Sequence, residues 1–322
     1  MSAESIMRLT RRSRLSSNAT RRTGAWRARA VRLAGVGVLV WLAIVPASAG
    51  QFQENAGAAA PLPDTDQFLA ATQKNLASDS YLQREYAYKE QVTDIRMNPF
   101  GRMGTGDVNL YEVRSRPGTN RSWRRLIARN GVPLTAEQLR EQDRKQQERE
   151  ARRAEELRRE TPEERRQRLE EENEGPSHEQ DMIKDVLSVF TFTLTGRDTI
   201  GGRPAIVVAF TPKPGVEPQT REGRIARHFH GKVWVLESAH QVARVEAEAM
   251  DDVSFVAGFV KLYKGFTATA TRRQLPDGNW LPDETRFVGR GRAFFAIFYR
   301  TFDLDIVWKY FDYQRAANTG GR

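Results

Sequence analysis

Residues 228–248 read HFHGKVWVLESAHQVARVEAE. Apolar and polar residues alternate on both sides of SAHQ, the pattern of a two-stranded hairpin in which successive side chains point to opposite faces. Three of the chain's four histidines fall here, and His228 and His230 are spaced to share one face of a strand. That spacing is compatible with metal ligation. Pairing HGKVWVLE with QVARVEAE, however, puts His240 at the opposite end of the hairpin from His228. The sequence therefore reads these histidines as strand-edge residues, with no metal and no cofactor expected.

The same alternation recurs outward from this hairpin. From Phe190, FTFTLTGRDTI, GRPAIVVAFTPK, FVKLYKGFTATATRRQL, NWLPDETRFVGRGR and a terminal FFAIFYRTFDLDIVWKYFDY read as strands, with turns at IGG, SAHQ, PDGN and GRGR. Towards the N-terminus a short helix in DTDQFLAATQKNLA, capped by Asp64 or Asp66, puts Phe68, Leu69, Thr72 and Leu76 on one face. Period two then starts at Tyr81, with GDVNLYEVRS and RSWRRLIARN as further strands around an RPGTN turn. About ten strands joined by short turns make an antiparallel meander. The fold class expected is mainly β (α+β): one curved antiparallel sheet or incomplete β-barrel covered by amphipathic helices.

A long charged segment interrupts this pattern. TAEQLREQDRKQQEREARRAEELRRE, residues 135–160, has a capping box at Thr135 and Gln138 and acid-to-base pairs at i,i+4, but no sustained heptad. It reads as a solvated helical arm with nothing to dock. TPEERRQRLEEE restarts the helix behind Thr161 and Pro162, EGPSHEQ breaks it, and SHEQDMIKDVLSVF forms an amphipathic helix that can cover a sheet. The expected organisation is a signal peptide at 1–49, a flexible leader at 50–63, the domain at 64–134 and 176–315, a charged helical insertion at 135–175, and a disordered tail at 316–322.

The formal charge of +10 is unevenly placed: nine of the 51 basic residues and one of the 41 acidic ones lie in the first 49 positions, leaving 42 against 40 downstream. Nucleic acid is therefore not an expected partner. The basic stretch, the apolar run LAGVGVLVWLAIVP and the small residues ASAG have the three parts of an export signal, with cleavage expected after Ala49 and an uncleaved anchor as the second reading. The chain has no cysteine, which excludes disulfides, thiolate metal sites and lipid attachment at an N-terminal cysteine. A periplasmic or secreted location is expected. The serines lack a nucleophile elbow and the glycine turns open no helix, so no arrangement of residues calls for catalysis.

The residues also resemble a known family. GKVWVLESAHQVARVEAE contains the turn from G-x-V-W-V (Gly231, Val233, Trp234, Val235) to V-x-R-x-E (Val242, Arg244, Glu246). A later hairpin carries G-x-W-L-P (Gly278, Trp280, Leu281, Pro282), and the last strand ends KYFDY. These elements are similar to the LolA-like lipoprotein carrier and sorting superfamily of bacterial envelopes, which includes periplasmic carriers and sensors that restrain envelope-stress regulators. The resemblance implies a half-barrel around a hydrophobic cavity that binds acyl chains of a lipid or lipoprotein without catalysis, as a monomer. A sensor that contacts an envelope membrane-protein partner through the charged arm is the alternative. The expected cavity lining is Trp234, Leu236, Phe266 and Trp280 from the sheet, with Met182 and Val186 from the amphipathic helix; the opposite face of the same strands is the other possibility.

Overall fold

The computed structural model describes residues 61–97, 103–115, 122–255, 260–295 and 298–315. The export signal, leader residues 50–60, the RPGTN turn and the C-terminal tail lie outside the described residues. The quoted hairpin is strands β7 (Phe229–Leu236) and β8 (Val242–Ala249). Gly231 faces Ala247, Val233 faces Val245 and Trp234 faces Arg244, before a bulge shifts Val235 onto Val242. In the turn, the His240 amide donates to the Leu236 carbonyl at 2.9 Å, and His240 takes a left-handed φ of 51°.

Among the described residues thirteen strands make one sheet, in the order β4-β3-β2-β1-β13-β12-β11-β8-β7-β6-β5 with β9 and β10 attached beside β12. The remaining strands are β1 (Tyr86–Met97), β2 (Met103–Ser115), β3 (Ser122–Arg129), β4 (Val132–Pro133), β5 (Phe190–Ile200), β6 (Arg203–Pro212), β9 (Val253–Phe255), β10 (Val260–Leu262), β11 (Thr267–Gln274), β12 (Trp280–Phe295) and β13 (Phe298–Arg315). All ladders are antiparallel except one parallel contact between Phe302 and Met103. The last strand lies between β12 and β1, so the two ends of the domain meet inside the sheet. The sheet does not close: β4 and β5 are its edges.

Among the described residues four α-helices accompany it: α1 (Thr65–Leu82), α2 (Ala136–Arg159), α3 (Pro162–Ser188) and α4 (Arg221–Ala226). None of the described helices is long and apolar enough to cross a membrane. Both capping boxes are formed, at Thr135 with Gln138 and at Thr161 with Glu164. Together α2 and α3 connect edge strand β4 to edge strand β5. At 1.5 Å per residue they measure about 36 and 40 Å.

Several local expectations are corrected. Residues 81–85 continue α1 and a short 3-10 turn, and β1 starts only at Tyr86. The described part of its neighbour β13 reaches Arg315, which pairs with Tyr86. The EGPSHEQ break does not occur, since α3 runs unbroken through it and is held at its far end by buried Val186 and Val189. GRGR is no turn but lies within β12, where an added Cβ on Gly289 would come within 2.5 Å of the Phe266 ring and one on Gly291 within 2.5 Å of the Phe302 ring. The terminal FFAIFYRTF segment belongs to two strands, with Phe295 paired to Phe298. The FVKLYKGFTATAT segment likewise divides into β10 and β11. TREGRIAR contains α4, capped by the Thr220 hydroxyl accepting from the Gly223 amide at 2.9 Å.

Candidate functional site

Strand alternation gives the sheet two faces, and the helices pack on one of them. Phe68 of α1, Val186 and Val189 beside α3, and Ile225 and Ala226 of α4 join Val208, Phe210, Val233, Val245, Phe266 and Phe287 in the main core. Val233 and Val235 point into this core, so their neighbours Trp234 and Leu236 point away from it. On that outer face Trp234, Leu236 and Trp280 cluster with Ala205 and Ala243. The Trp234 indole donates to Asp198 at 2.8 Å, and the guanidinium groups of Arg244 and Arg203 lie 4.6 and 5.8 Å from the rings of Trp234 and Trp280. Long arginine side chains thereby lie over the apolar surface of these tryptophans.

The six residues expected to line a cavity therefore divide. Phe266 and Val186 are buried in the inner core, Phe266 stacking on Phe287 at 6.5 Å, and Met182 lies half-buried one turn before Val186. Trp234, Leu236 and Trp280 belong to the outer cluster. The histidines are apart as well: His228 Nδ1 is 2.7 Å from Asp251, while His240 sits at the turn with its ring 5.0 Å from Phe68.

The inner face changes character across the sheet. On β13, β1, β2 and β3 it carries Trp308, Tyr310, Tyr88, Glu90, Val92, Tyr111, Val113 and Arg124, placed there by the registers Glu90↔Tyr310, Val92↔Trp308, Glu90↔Tyr111 and Val113↔Arg124. Arg124 Nε lies 2.8 Å from Glu90, whose side chain is 11% exposed against 45% for Arg124. The guanidinium stands 4.1 Å above the Tyr111 ring. Tyr88 meets Tyr310 at 6.1 Å and Tyr313 at 5.2 Å, and Tyr86 meets Tyr313 edge-on at 6.0 Å. The Tyr86 hydroxyl is tied to Asp277 and accepts from Asn279 Nδ2 at 2.7 Å, fixing the start of β1 to the β11–β12 hairpin.

Burial dominates the electrostatics here. It pushes the Glu90 carboxyl above its ordinary range against the pull of Arg124, and it raises the hydroxyls of Tyr88, Tyr310 and Tyr313. Asp94, bonded to Asn109, is likewise raised by burial. The buried Trp308 indole nitrogen has no hydrogen-bond partner among the described residues. Sequence reasoning missed this region because it followed the apolar members of the β1 alternation. The signal was nonetheless present: Glu90 occupies the phase of Tyr86, Tyr88 and Val92, a carboxylate on an inward face.

The charged arm is not merely solvated. Although no α2 residue is buried, the Gln142 side chain accepts from the Leu126 amide at 3.0 Å and donates to its carbonyl at 2.9 Å. Asp143 pairs with Arg125 at 2.5 Å. Polar groups anchor α2 to β3 where apolar ones are lacking, in effect extending the sheet edge beyond two-residue β4.

No family model and no curated protein matches the chain. Solved structures do match, among them a putative outer membrane lipoprotein-sorting protein domain from Vibrio parahaemolyticus (10% identity, 78% of this chain and 95% of that one, TM-score 0.28). A LolA superfamily protein from Nitrosomonas europaea matches at 11% identity over 79% of this chain and 94% of that one, with TM-score 0.26. A DUF1329 family protein from Desulfovibrio piger matches at 13% identity over 79% and 95%, with TM-score 0.25.

Proposed function

We propose that this is an exported, non-enzymatic protein that binds acyl chains of a lipid or lipoprotein on the inner face of its open sheet and carries them between envelope membranes. One observation carries the reading: the inner face is roofed unequally. Apolar helix residues pack over the β5–β8 and β11–β12 side, whereas α2, the helix beside β3, contributes no buried residue. On the other side Val92 and Val113 are buried beside Tyr88, Tyr111 and Tyr310, so tyrosine rings make up much of the interior there. An unclosed sheet whose interior is filled on one side by tyrosine rings can admit methylenes by movement of those rings, without breaking its ladders.

The magnitudes are adequate. About twelve buried methylenes contribute roughly 10 kcal/mol gross at about 0.8 kcal/mol each, against an association cost of about 4–15 kcal/mol, so two or three chains bind usefully where one is marginal. The lining proposed is the face of Phe266, Val186 and Trp308, not that of Trp234. Absence of cysteine leaves cleavage near Ala49 to release a soluble periplasmic or secreted chain without a lipid anchor of its own.

Native mass spectrometry of protein purified from its own envelope tests this. Co-purifying lipid or acylated protein is expected. A lipid-free chain holding a membrane protein, with capture lost on deleting residues 136–172, would replace this reading with that of a sensor acting through α2, whose Glu141, Arg144, Lys145 and Glu148 form an ion-pair network.

A further inference from the structure

We infer that Arg124, held by Glu90 on the inner face, recognises the anionic head of the bound amphiphile, a phosphate or carboxylate joined to the acyl chain; this rests on the acyl-binding reading above. The guanidinium is oriented on two sides, by the buried Glu90 carboxylate at 2.8 Å from Nε and by the Tyr111 ring at 4.1 Å. Among the described residues no other hydrogen bond to it is formed, although the Asp94 carboxylate lies near enough to interact with it electrostatically. A planar fork fixed at one edge and free at the other suits a bidentate oxyanion.

The surroundings fit an amphiphile better than a free ion. Arg124 lies on the face that continues through Val92, Trp308 and Phe287 into the apolar core, with Trp308 edge-on to Phe287 at 5.8 Å. A chain lying along those residues would put its head at Arg124. Other arginines near the aromatic groups are engaged: Arg273 with Asp283 and the Tyr310 carbonyl, and Arg244 with Glu246. Glu90, with Asp94 nearby, neutralises Arg124 and competes with the incoming anion.

Calorimetric titration of the purified full chain with decyl phosphate, decanoate, decyl maltoside and inorganic phosphate, each below its micelle concentration, tests the inference. Decyl phosphate and decanoate are expected to bind about tenfold more tightly than decyl maltoside, the gain of one charge-assisted pair. Arg124→Gln should bring that ratio close to one with decyl maltoside binding retained, and Glu90→Gln should raise it about threefold by removing the competing carboxylate. Inorganic phosphate alone should show no saturable binding. Discrimination that survives Arg124→Gln, or phosphate binding as tightly without a chain, overturns the inference. Should Arg124→Gln fail to fold, an unchanged ratio in Glu90→Gln overturns it equally. Equal binding of all three amphiphiles refutes head recognition and leaves acyl binding standing, whereas binding of none refutes both.

Discussion

Gly231, inside the hairpin that identifies the fold, shows how narrow the tolerance is at one residue. A Cβ there would collide with the Glu246 carbonyl oxygen and reach within 2.7 Å of the Phe210 ring. Gly231→Ala is expected to destabilise by about 2–3 kcal/mol, because backbone and a buried ring cannot both withdraw, lowering the melting temperature by roughly 2–4 °C per kcal/mol. Calorimetry checks this, and an unchanged melting temperature would refute the contact. Glu90 makes a prediction of opposite character. Its carboxyl is raised by burial, so above the ordinary carboxylate range the native state still holds a proton that the unfolded chain has released. Its contribution therefore falls as pH rises through the folded value, and Glu90→Gln should flatten that part of the stability profile in urea titrations at successive pH values. The inward phase of Glu90 was legible in the sequence; that Arg124 would face it was not, since the pairing of β3 with β2 and of β2 with β1 brings them together.

At the scale of elements, helices α3 and α4 meet through one carboxylate. Asp185 accepts from the amides of Gln219 at 3.0 Å and Thr220 at 2.8 Å and from the Thr220 hydroxyl at 2.5 Å. Burial opposes its ionisation, but these bonds prevail and hold it below the usual carboxylate range. The stability it contributes is present above that range and is lost as pH falls through the folded value. Asp185→Asn should cost about 1–2 kcal/mol at neutral pH and remove the acid-side slope, measured by urea unfolding between acid and neutral pH. The α2 anchor is equally testable: Gln142→Ala should speed hydrogen exchange at the Leu126 amide by about tenfold while leaving β7 and β8 protected. The starts of α2 and α3 were legible because Thr135 with Gln138 and Thr161 with Glu164 are local devices. Helix α4 was not, since six residues show too little periodicity, and the anchoring of α2 was not, since Gln142 reads as one more polar residue until β3 lies beside it.

For the whole molecule, the decisive connection is β13. It pairs with β12 on one side and β1 on the other, so it joins the C-terminal strands to the sheet that β1, β2 and β3 build. Removing residues 298–315 should therefore cost much more than one strand. Far-UV circular dichroism and limited proteolysis are expected to show loss of β1–β3 as well, and a truncated chain with β1–β3 still protected would contradict this topology. The order of strands was not legible beyond sequence neighbours, because partner choice between β13 and β1 depends on contacts over 200 residues apart in sequence, between Glu90 and Tyr310 for instance. The sequence by itself determined the class of fold: period two along most of the chain, turn residues between the strands, and caps at the long helices are local consequences of backbone geometry. Only the tertiary structure decided which side became the interior. Val233 and Trp234 are both apolar, so alternation alone fits either face. Helices α1, α3 and α4 cover the valine side, and arginines cover the tryptophans on the other.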